Sequence, residues 1–204
     1  MITIVDYGSG NINAITNIYK LLKIPYSVAS DPSEIELAEK IILPGVGSFD
    51  FCMSKLNNSG LKDALNRKVL EDKIPVLGIC IGLHIMTEKS EEGELPGLGW
   101  IKGNVKKFDE TKLKDSPKVP HMGWNSIKVK AAENLFKGVN ANQGFYFIHS
   151  YYVEVSNKES IMTTTNYAED FVSGVTSSNI YAVQFHPEKS HSNGMKLLKN
   201  FSEF

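Results

Sequence analysis

The first half of the chain alternates short apolar runs with segments whose apolar residues recur at helical spacing. The runs that predict strands lie at 2–6, which has β-branched residues, and at 25–29, 40–43 and 75–79. Helical spacing is present at 11–22 and 61–70. The run at 75–79 is apolar along its whole length, which is typical of a strand covered on both faces. Strands that alternate with helices predict a parallel sheet with crossover helices.

The second half of the chain changes to shorter runs joined by turns. From Trp100 onward, antiparallel strands are predicted at 103–108, 124–129, 144–148, 151–155, 161–165, 171–176 and 180–184. A closing helix is predicted at 190–201, and polar loops at 91–99 and 109–117. We therefore expect an α/β fold, a three-layer sandwich whose central, mostly parallel sheet is extended by antiparallel strands. A single domain over 1–204 is expected for this length.

The charge balance argues against two classes of partner. The chain has 22 basic and 23 acidic residues and a net charge of −1, so it has no positive surplus to hold nucleic acid or an anionic membrane. The longest apolar stretch, 74–81, is too short to cross a bilayer, and no secretory signal is visible at the start. We expect a cytoplasmic protein that binds neither nucleic acid nor membrane.

Two cysteines are too few for a disulfide framework or for a metal cluster of their own. In a reducing compartment, a cysteine in a special setting is more often reactive than bridged. Cys80 has such a setting, because Gly78-Ile79-Cys80-Ile81-Gly82 directly follows a predicted strand and precedes a helical pattern. This is the arrangement of a nucleophile elbow, in which the new helix favours a thiolate and the Ile81 N–H can stabilise an oxyanion. The alternative is a buried, inert cysteine, which is how we interpret Cys52.

A candidate base follows the last predicted strand, in Gln184-Phe185-His186-Pro187-Glu188. Pro187 favours an extended His186, and residues two apart in an extended chain point to the same side. Glu188 can therefore orient the imidazole while its other nitrogen faces a cysteine. Two alternatives remain open, a surface His-Pro turn and a dyad of Cys80 with His84. The remaining histidines lie in or beside predicted loops, where an incidental role is common.

Six segments in order resemble the class I, or triad, glutamine amidotransferases. They are 5–11, 44–49, 78–82, 120–125, 147–151 and 184–190. Within that family the chain is similar to the glutaminase subunits of imidazole glycerol phosphate synthase, of histidine biosynthesis. The resemblance covers nearly the whole chain and implies one glutamine amidotransferase type 1 domain over 1–204.

The resemblance implies a mechanism for the triad. Cys80 would attack the side-chain amide of glutamine, and His186, oriented by Glu188, would pass its proton to the leaving ammonia. Water would then hydrolyse the glutamyl thioester. The oxyanion would be held by the Ile81 N–H and by an N–H of the oxyanion strand, the segment 44–47, at Val46 and Gly47.

In this family that strand can sit with a peptide turned the wrong way until the partner is occupied. The glycines on both sides of Val46 lower the energy needed to rotate this peptide.

The resemblance also assigns substrate-binding positions. Glu92 aligns with the position that holds the substrate ammonium, and His149, Ser150 and Tyr151 align with the segment at the glutamine carboxylate. His84 departs from the family, which usually carries glutamine four residues after the nucleophile, and an imidazole offers a different hydrogen-bond geometry from an amide. For Glu92 the alternative is a solvated residue within an acidic run.

The implied partner is the barrel-shaped cyclase subunit of imidazole glycerol phosphate synthase, in a heterodimer through which ammonia passes. The residues that match the docking face are Asn11, His121, Met122, Trp124 and Asn125. Trp and Met are favoured at interfaces, although Trp124 could instead begin a core strand. No cofactor and no metal are expected.

Three other functions remain open. The ammonia could serve a paralogous synthase that modifies surface sugars, with the same catalytic half. The chain could be a catalytically silent subunit that regulates a partner. It could also be a cysteine hydrolase acting on peptides, against which the docking-loop match counts.

Overall fold

The computed structural model describes residues 1–112, 118–140, 142–167 and 169–204. Its strands are β1 Ile2–Val5, β2 Tyr26–Ala29, β3 Lys40–Gly45, β4 Val76–Cys80, β5 Lys89–Ser90, β6 Gly103–Lys107, β7 His121–Asn125, β8 Lys128–Val129, β9 Phe145–His149, β10 Tyr151–Val155, β11 Ile161–Tyr167, β12 Glu169–Ser177 and β13 Ile180–Val183. Its α-helices are α1 Ile12–Leu22, α2 Pro32–Glu36, α3 Phe49–Asn58, α4 Lys62–Asn66, α5 Ile81–Ile85 and α6 His191–Ser202.

A parallel run of strands in the order β2-β1-β3-β4-β13 forms one half of the main sheet. Every residue of β1 and β4 is buried, as expected for strands covered on both faces. Helices flank this half, with α1 in contact with α6 and α3 in contact with α5. The register pairs Gly45 with Cys80 and Val183 with Ile79, so three chain segments reach one edge of the sheet together. This edge is where ligands bind in open parallel sheets.

Antiparallel strands extend the sheet beyond β13, in the order β12-β10-β6. β5 pairs with β6 in parallel, and β11 and β8 branch from β12. The structure therefore confirms the expected α/β sandwich with a mixed central sheet. Among the described residues, no helix combines the length and apolarity that a membrane span needs.

One local expectation was wrong. The predicted strand 124–129 is two strands, because β7 ends at Asn125 and pairs with β9 in a separate two-stranded sheet, whereas β8 pairs with β11. Helix α2 follows β2 closely, and the Asp31 side chain and Glu34 form a capping box around Pro32 at its start. Of the predicted loop 109–117, residues 113–117 lie outside the described part of the chain.

Candidate active site

Cys80 occupies a strained turn between β4 and α5. Its φ is 55° and its ψ is −110°, a conformation that L-residues adopt rarely and that recurs at functional sites. The flanking glycines make the turn possible. A Cβ on Gly82 would lie 1.9 Å from the Leu43 carbonyl oxygen, and a Cβ on Gly78 would lie 2.8 Å from the Met86 sulfur. The local structure thus matches the elbow that the pentapeptide predicts.

His186 and Glu188 form a buried pair beside Cys80. The His186 Nδ1 and the Glu188 Oε1 are 2.7 Å apart, and their side chains are 3% and 1% exposed. Cys80 and His186 line the same cleft, Cys80 lies near enough to raise the pKa of His186, and Nε2 is the ring nitrogen that Glu188 does not occupy. The structure therefore brings the three sequence-predicted triad residues together in the order that general-base chemistry needs.

The charges around His186 favour its protonated form. Burial alone lowers the pKa of His186, but Cys80 and the Glu188 carboxylate outweigh burial and raise that pKa to about 10. A protonated imidazole next to a sulfur can stabilise a thiolate and later give a proton to a leaving group.

Gln184 connects Cys80 to His84, a contact that the sequence did not indicate. The Gln184 Nε2 donates to the Cys80 sulfur at 3.9 Å, and the Gln184 Oε1 lies 2.7 Å from the His84 Nε2. Because that oxygen can only accept, the His84 Nε2 carries the proton and Nδ1 holds a lone pair. Burial lowers the pKa of His84 to about 4, so the ring is neutral. His84 thus bonds to Gln184, which does not favour the Cys80–His84 dyad.

The oxyanion strand lies directly beside the elbow, but its Val46 N–H does not face the cleft. That N–H donates to the Ser9 Oγ at 3.0 Å. Gly47 has a φ of +120°, in the region that favours glycine. Ile81 begins α5, so its N–H belongs to the first turn of a helix and has no partner within that turn. In this conformation Ser9 occupies the Val46 N–H, so Ile81 and Gly47 stay as the candidate oxyanion donors among the residues that the sequence singled out.

A cleft of about 310 Å³ collects most of the predicted site. Its lining residues are Val46, Gly47, Cys80, Ile81, His84, Glu92, Pro120, Ile148, His149, Ser150, Tyr151, His186 and Lys189. All the predicted oxyanion and substrate-binding residues are present, whereas Glu188 lies outside the lining and contacts His186. Sequence reasoning missed Pro120, Ile148 and Lys189, although each lies within a segment that carries the family resemblance.

Glu92 is half-buried and anchored, which contradicts the solvated alternative. Its Oε2 accepts a hydrogen bond from the Phe49 N–H at 2.9 Å, at the first turn of α3, where the Ser48 side chain makes no capping bond. Burial raises the pKa of Glu92, and Asp50 adds to that effect. A carboxylate held at the cleft wall is suited to bind an ammonium group. Within the described ranges, no group of three or more His, Cys, Asp or Glu side chains could hold a metal ion.

A directed chain of hydrogen bonds runs from β7 to the cleft. The His149 Nδ1 donates to the Tyr151 carbonyl at 2.7 Å, so the His149 Nε2 accepts from the His121 Nδ1 at 2.9 Å. The His121 Nε2 then accepts from the Asn125 Nδ2 at 3.2 Å. Burial lowers the pKa of His121 to about 4 and that of His149 well below its usual range, so both rings are neutral.

These hydrogen bonds correct the prediction that His121 lies on the partner interface. His121 is 2% exposed and stacks on Phe147 and Tyr167, so it supports the loop from inside and offers no surface to a partner. Its neighbour on β7 differs, because side chains alternate along a strand. Met122 is 58% exposed, and the sequence did place it on a docking face.

Trp124 is also exposed, so it does not begin a core strand. Its side chain is 43% exposed and its ring stacks on His191, with centroids 5.3 Å apart. Asn125 and Asn11 are half-buried. Met122 and Trp124 therefore offer a large apolar surface on the two-stranded sheet that also contributes His149 to the cleft.

Comparison with known proteins agrees with this geometry. The profile of the family described as glutamine amidotransferase class-I matches residues 3–203. The imidazole glycerol phosphate synthase subunit HisH of Bdellovibrio bacteriovorus is 50% identical over 203 residues, which cover 100% of both chains. In Methanococcus maripaludis two such subunits, HisH 2 and HisH 1, are 49% and 45% identical and cover 98% and 100% of this chain, and 98% and 99% of their own.

A solved structure shows the same fold at lower sequence similarity. The crystal structure of a glutamine amidotransferase aligns with a TM-score of 0.71 at 16% identity, covering 99% of this chain and 97% of that chain. The family match extends over nearly the full length of the chain. The sequence identities of 45–50% to the relatives are high enough to establish a shared family. The chain belongs to the class-I glutamine amidotransferase family.

Proposed function

We propose that this chain is the glutaminase subunit of imidazole glycerol phosphate synthase. It hydrolyses glutamine to glutamate and ammonia, and it passes the ammonia to a barrel-shaped cyclase subunit. That partner makes imidazole glycerol phosphate and aminoimidazole carboxamide ribotide in histidine biosynthesis. The observation that carries the proposal is the placement of Cys80 on a strained elbow beside the His186–Glu188 pair.

The reaction proceeds in two stages. The Cys80 sulfur attacks the carboxamide carbon of glutamine, and the negative charge moves to the amide oxygen near the Ile81 N–H. His186, held by Glu188, gives its proton to the nitrogen, so that ammonia leaves and a glutamyl thioester remains. Water, deprotonated by the now neutral His186, attacks the thioester and releases glutamate and the thiolate.

The cleft provides groups for both ends of the amino acid. Glu92 holds the substrate ammonium with the oxygen that does not bond to Phe49. Ser150 and Tyr151 lie at the substrate carboxylate, and His149 fixes their segment through the Tyr151 carbonyl. His84 contributes through Gln184 to the position of the sulfur.

The exposed Met122 and Trp124 provide the docking surface for the cyclase subunit. An aromatic ring and a flexible thioether are typical of the centre of a protein interface. They follow Pro120, which lines the cleft, so a partner seated there lies next to the glutamine site. The proposal takes 1–204 as one functional domain.

The proposal is tested by glutamate release from glutamine. The rate is measured with the chain alone and with the cyclase subunit and its nucleotide substrate. We expect a low rate alone and a strong rise with the loaded partner. A catalytically silent chain would release no glutamate under either condition.

A second acceptor is favoured by one departure from the family. His84 stands where the family usually carries glutamine, so the glutamine pocket differs at this position. In that case the ammonia serves a synthase that modifies surface sugars. Glutamate release would then occur but would not rise with the loaded cyclase subunit.

A further inference from the structure

The loop that carries Glu92 is tied to the first turn of helix α3. There the Asp50 side chain accepts two backbone hydrogen bonds, from the Glu94 N–H to Oδ2 at 3.0 Å and from the Leu95 N–H to Oδ1 at 3.0 Å. We infer that Asp50 is a positioning residue for glutamine recognition, because it holds the Glu92 carboxylate where the substrate ammonium binds. The inference rests on the proposed function, in which Glu92 binds that ammonium.

The two ends of this loop are held by other elements. The Glu91 N–H donates to the Val105 carbonyl on β6 at 3.0 Å, and the Leu98 N–H donates to the carbonyl of Ile85, the last residue of α5, at 2.7 Å. Between these points the chain forms neither a helix nor a strand. The two bonds to Asp50 therefore fix the middle of the loop.

The contact between α3 and the loop runs in both directions. The Phe49 N–H donates to the Glu92 Oε2 at 2.9 Å, and the next residue, Asp50, accepts from the loop. An acid in the first turn commonly stabilises its own helix, but here both carboxylate oxygens accept from the loop. Such charge-assisted bonds are stronger than neutral ones. One helical turn thus holds both the side chain of Glu92 and the backbone that follows it.

Gly93 lets the loop pack directly on the Asp50 carboxylate. A Cβ on Gly93 would lie 2.0 Å from the Asp50 Oδ1 and 2.4 Å from its Cγ, so a side chain there would push the carboxylate away from the loop. Burial raises the pKa of Glu92 most, and the nearby charge of Asp50 raises it further. Asp50 therefore also adds a second negative charge near the ammonium site.

Asp50→Asn tests the inference through the kinetics of the complex with the loaded cyclase subunit. Asparagine keeps the shape of the side chain but loses the charge and one of the two accepting oxygens. We expect the KM for glutamine to rise about tenfold and kcat to change less than about twofold, because the ammonium is bound alike in the ground state and the transition state. Damage to the triad would lower kcat instead.

A substrate without the amino group separates positioning from general damage. Glutaramate is glutamine that lacks its amino group, so it offers Glu92 no ammonium. Its kcat/KM, measured by glutarate release, should change less than about twofold in Asp50→Asn, and the preference for glutamine should fall about five- to tenfold. An equal loss for the two substrates would overturn the inference.

Two further variants accompany this measurement. Gly93→Ala places a methyl group against the Asp50 carboxylate and should raise the KM for glutamine in the same way. Asp63→Asn removes an exposed acid from the first turn of α4 and should leave the KM unchanged. A matching rise in KM for Asp63→Asn would overturn the inference, since the loop would then not be the cause.

Hydrogen exchange tests the tie without any activity. We expect the Glu94 and Leu95 amides to be protected in the wild type, although they lie outside helices and strands, and to exchange faster in Asp50→Asn. Unprotected amides in the wild type would overturn the inference even if Asp50→Asn failed to fold. A wild-type complex that releases no glutamate would overturn the proposed function, whereas release together with an unchanged KM in Asp50→Asn would overturn this inference alone.

Discussion

At the scale of single residues, the site separates two histidines by charge. His186 bonds to Glu188, lies near Cys80 and is protonated, with a pKa raised to about 10, whereas His84, one helical turn after Cys80, is neutral with a pKa lowered to about 4. Both are buried, so burial is not what distinguishes them. The difference comes from the partners, which are the Cys80 sulfur and the Glu188 carboxylate for His186 and a neutral amide for His84.

Glu188→Gln should lower the glutaminase kcat by about a hundredfold, since the amide keeps the shape of the carboxylate but not its charge. Without that charge the pKa of His186 falls. Activity needs the protonated ring to release ammonia, so the basic limb of the pH–rate profile moves to lower pH. Rates measured across that limb provide the test, and a profile that does not move would contradict the role of Glu188.

His84→Ala should lower the free energy of unfolding by about 2–4 kcal/mol, because it opens a buried cavity and leaves the Gln184 oxygen without a donor. His84→Gln is the matched variant, because its amide N–H can still donate to Gln184. We expect it to cost less than about 1.5 kcal/mol. Urea denaturation of the three proteins decides between them, and equal losses would mean that the contact with Gln184 contributes nothing.

At the scale of elements, the end of each strand was easier to predict from the sequence than the strand with which it pairs. The elbow after β4 and the His-Pro segment after β13 are visible in local sequence, and parallel pairing brings them together without further information. The split of 124–129 was not visible, because alternation along one strand does not reveal which strand pairs with it. His121 looked like a loop residue for the same reason, since its burial depends on Phe147 and Tyr167 from distant segments.

Contacts between side chains were also beyond the sequence. Gln184 and Ser9 both lie in segments that carry the family resemblance, but their bonds to Cys80, His84 and Val46 require the folded distances. The parallel pairing of β1 with β3 brings Ser9 near Val46, and the bond from the Tyr7 hydroxyl to the Pro44 carbonyl fixes the two segments against each other.

Gly82→Ala should separate α5 from β3, because the new Cβ would lie 1.9 Å from the Leu43 carbonyl oxygen. Neither partner is a flexible side chain, so we expect a loss of about 3 kcal/mol of stability and no glutamate release. Gly99→Ala is the control, because Gly99 has a φ of +68° but no atom within 4 Å of its Cβ position. Its cost should stay near 1 kcal/mol, from backbone strain alone. Similar melting temperatures for the two variants would contradict the close approach.

At the scale of the whole molecule, the neutral histidines tie stability to pH. The pKa values of His84 and His121 fall from 6.5 to about 4 in the folded state, and that of His149 falls well below its usual range. The unfolded chain therefore binds more protons than the folded one between those values, and stability decreases as pH falls through that window. His186 has the opposite shift, so its contribution is complete below pH 6.5 and is lost only as pH rises towards about 10.

Denaturation between about pH 5 and pH 6.5 should show stability rising with pH, with a limiting slope of about 1.4 kcal/mol per pH unit for each neutral histidine. His84→Gln removes one of these groups, so its slope should be shallower than that of the wild type. Parallel slopes for the two proteins would show that His84 is protonated in the folded state.

The central claim is that Cys80 is the nucleophile for glutamine, and labelling by a glutamine-like electrophile tests it most directly. After incubation with the loaded cyclase subunit, peptide mapping by mass spectrometry locates the adduct. The account predicts modification of Cys80, protection by excess glutamine, and an unmodified Cys52, which is buried outside the cleft lining. A label on Cys52, or none on Cys80 while glutamate is being released, would contradict it.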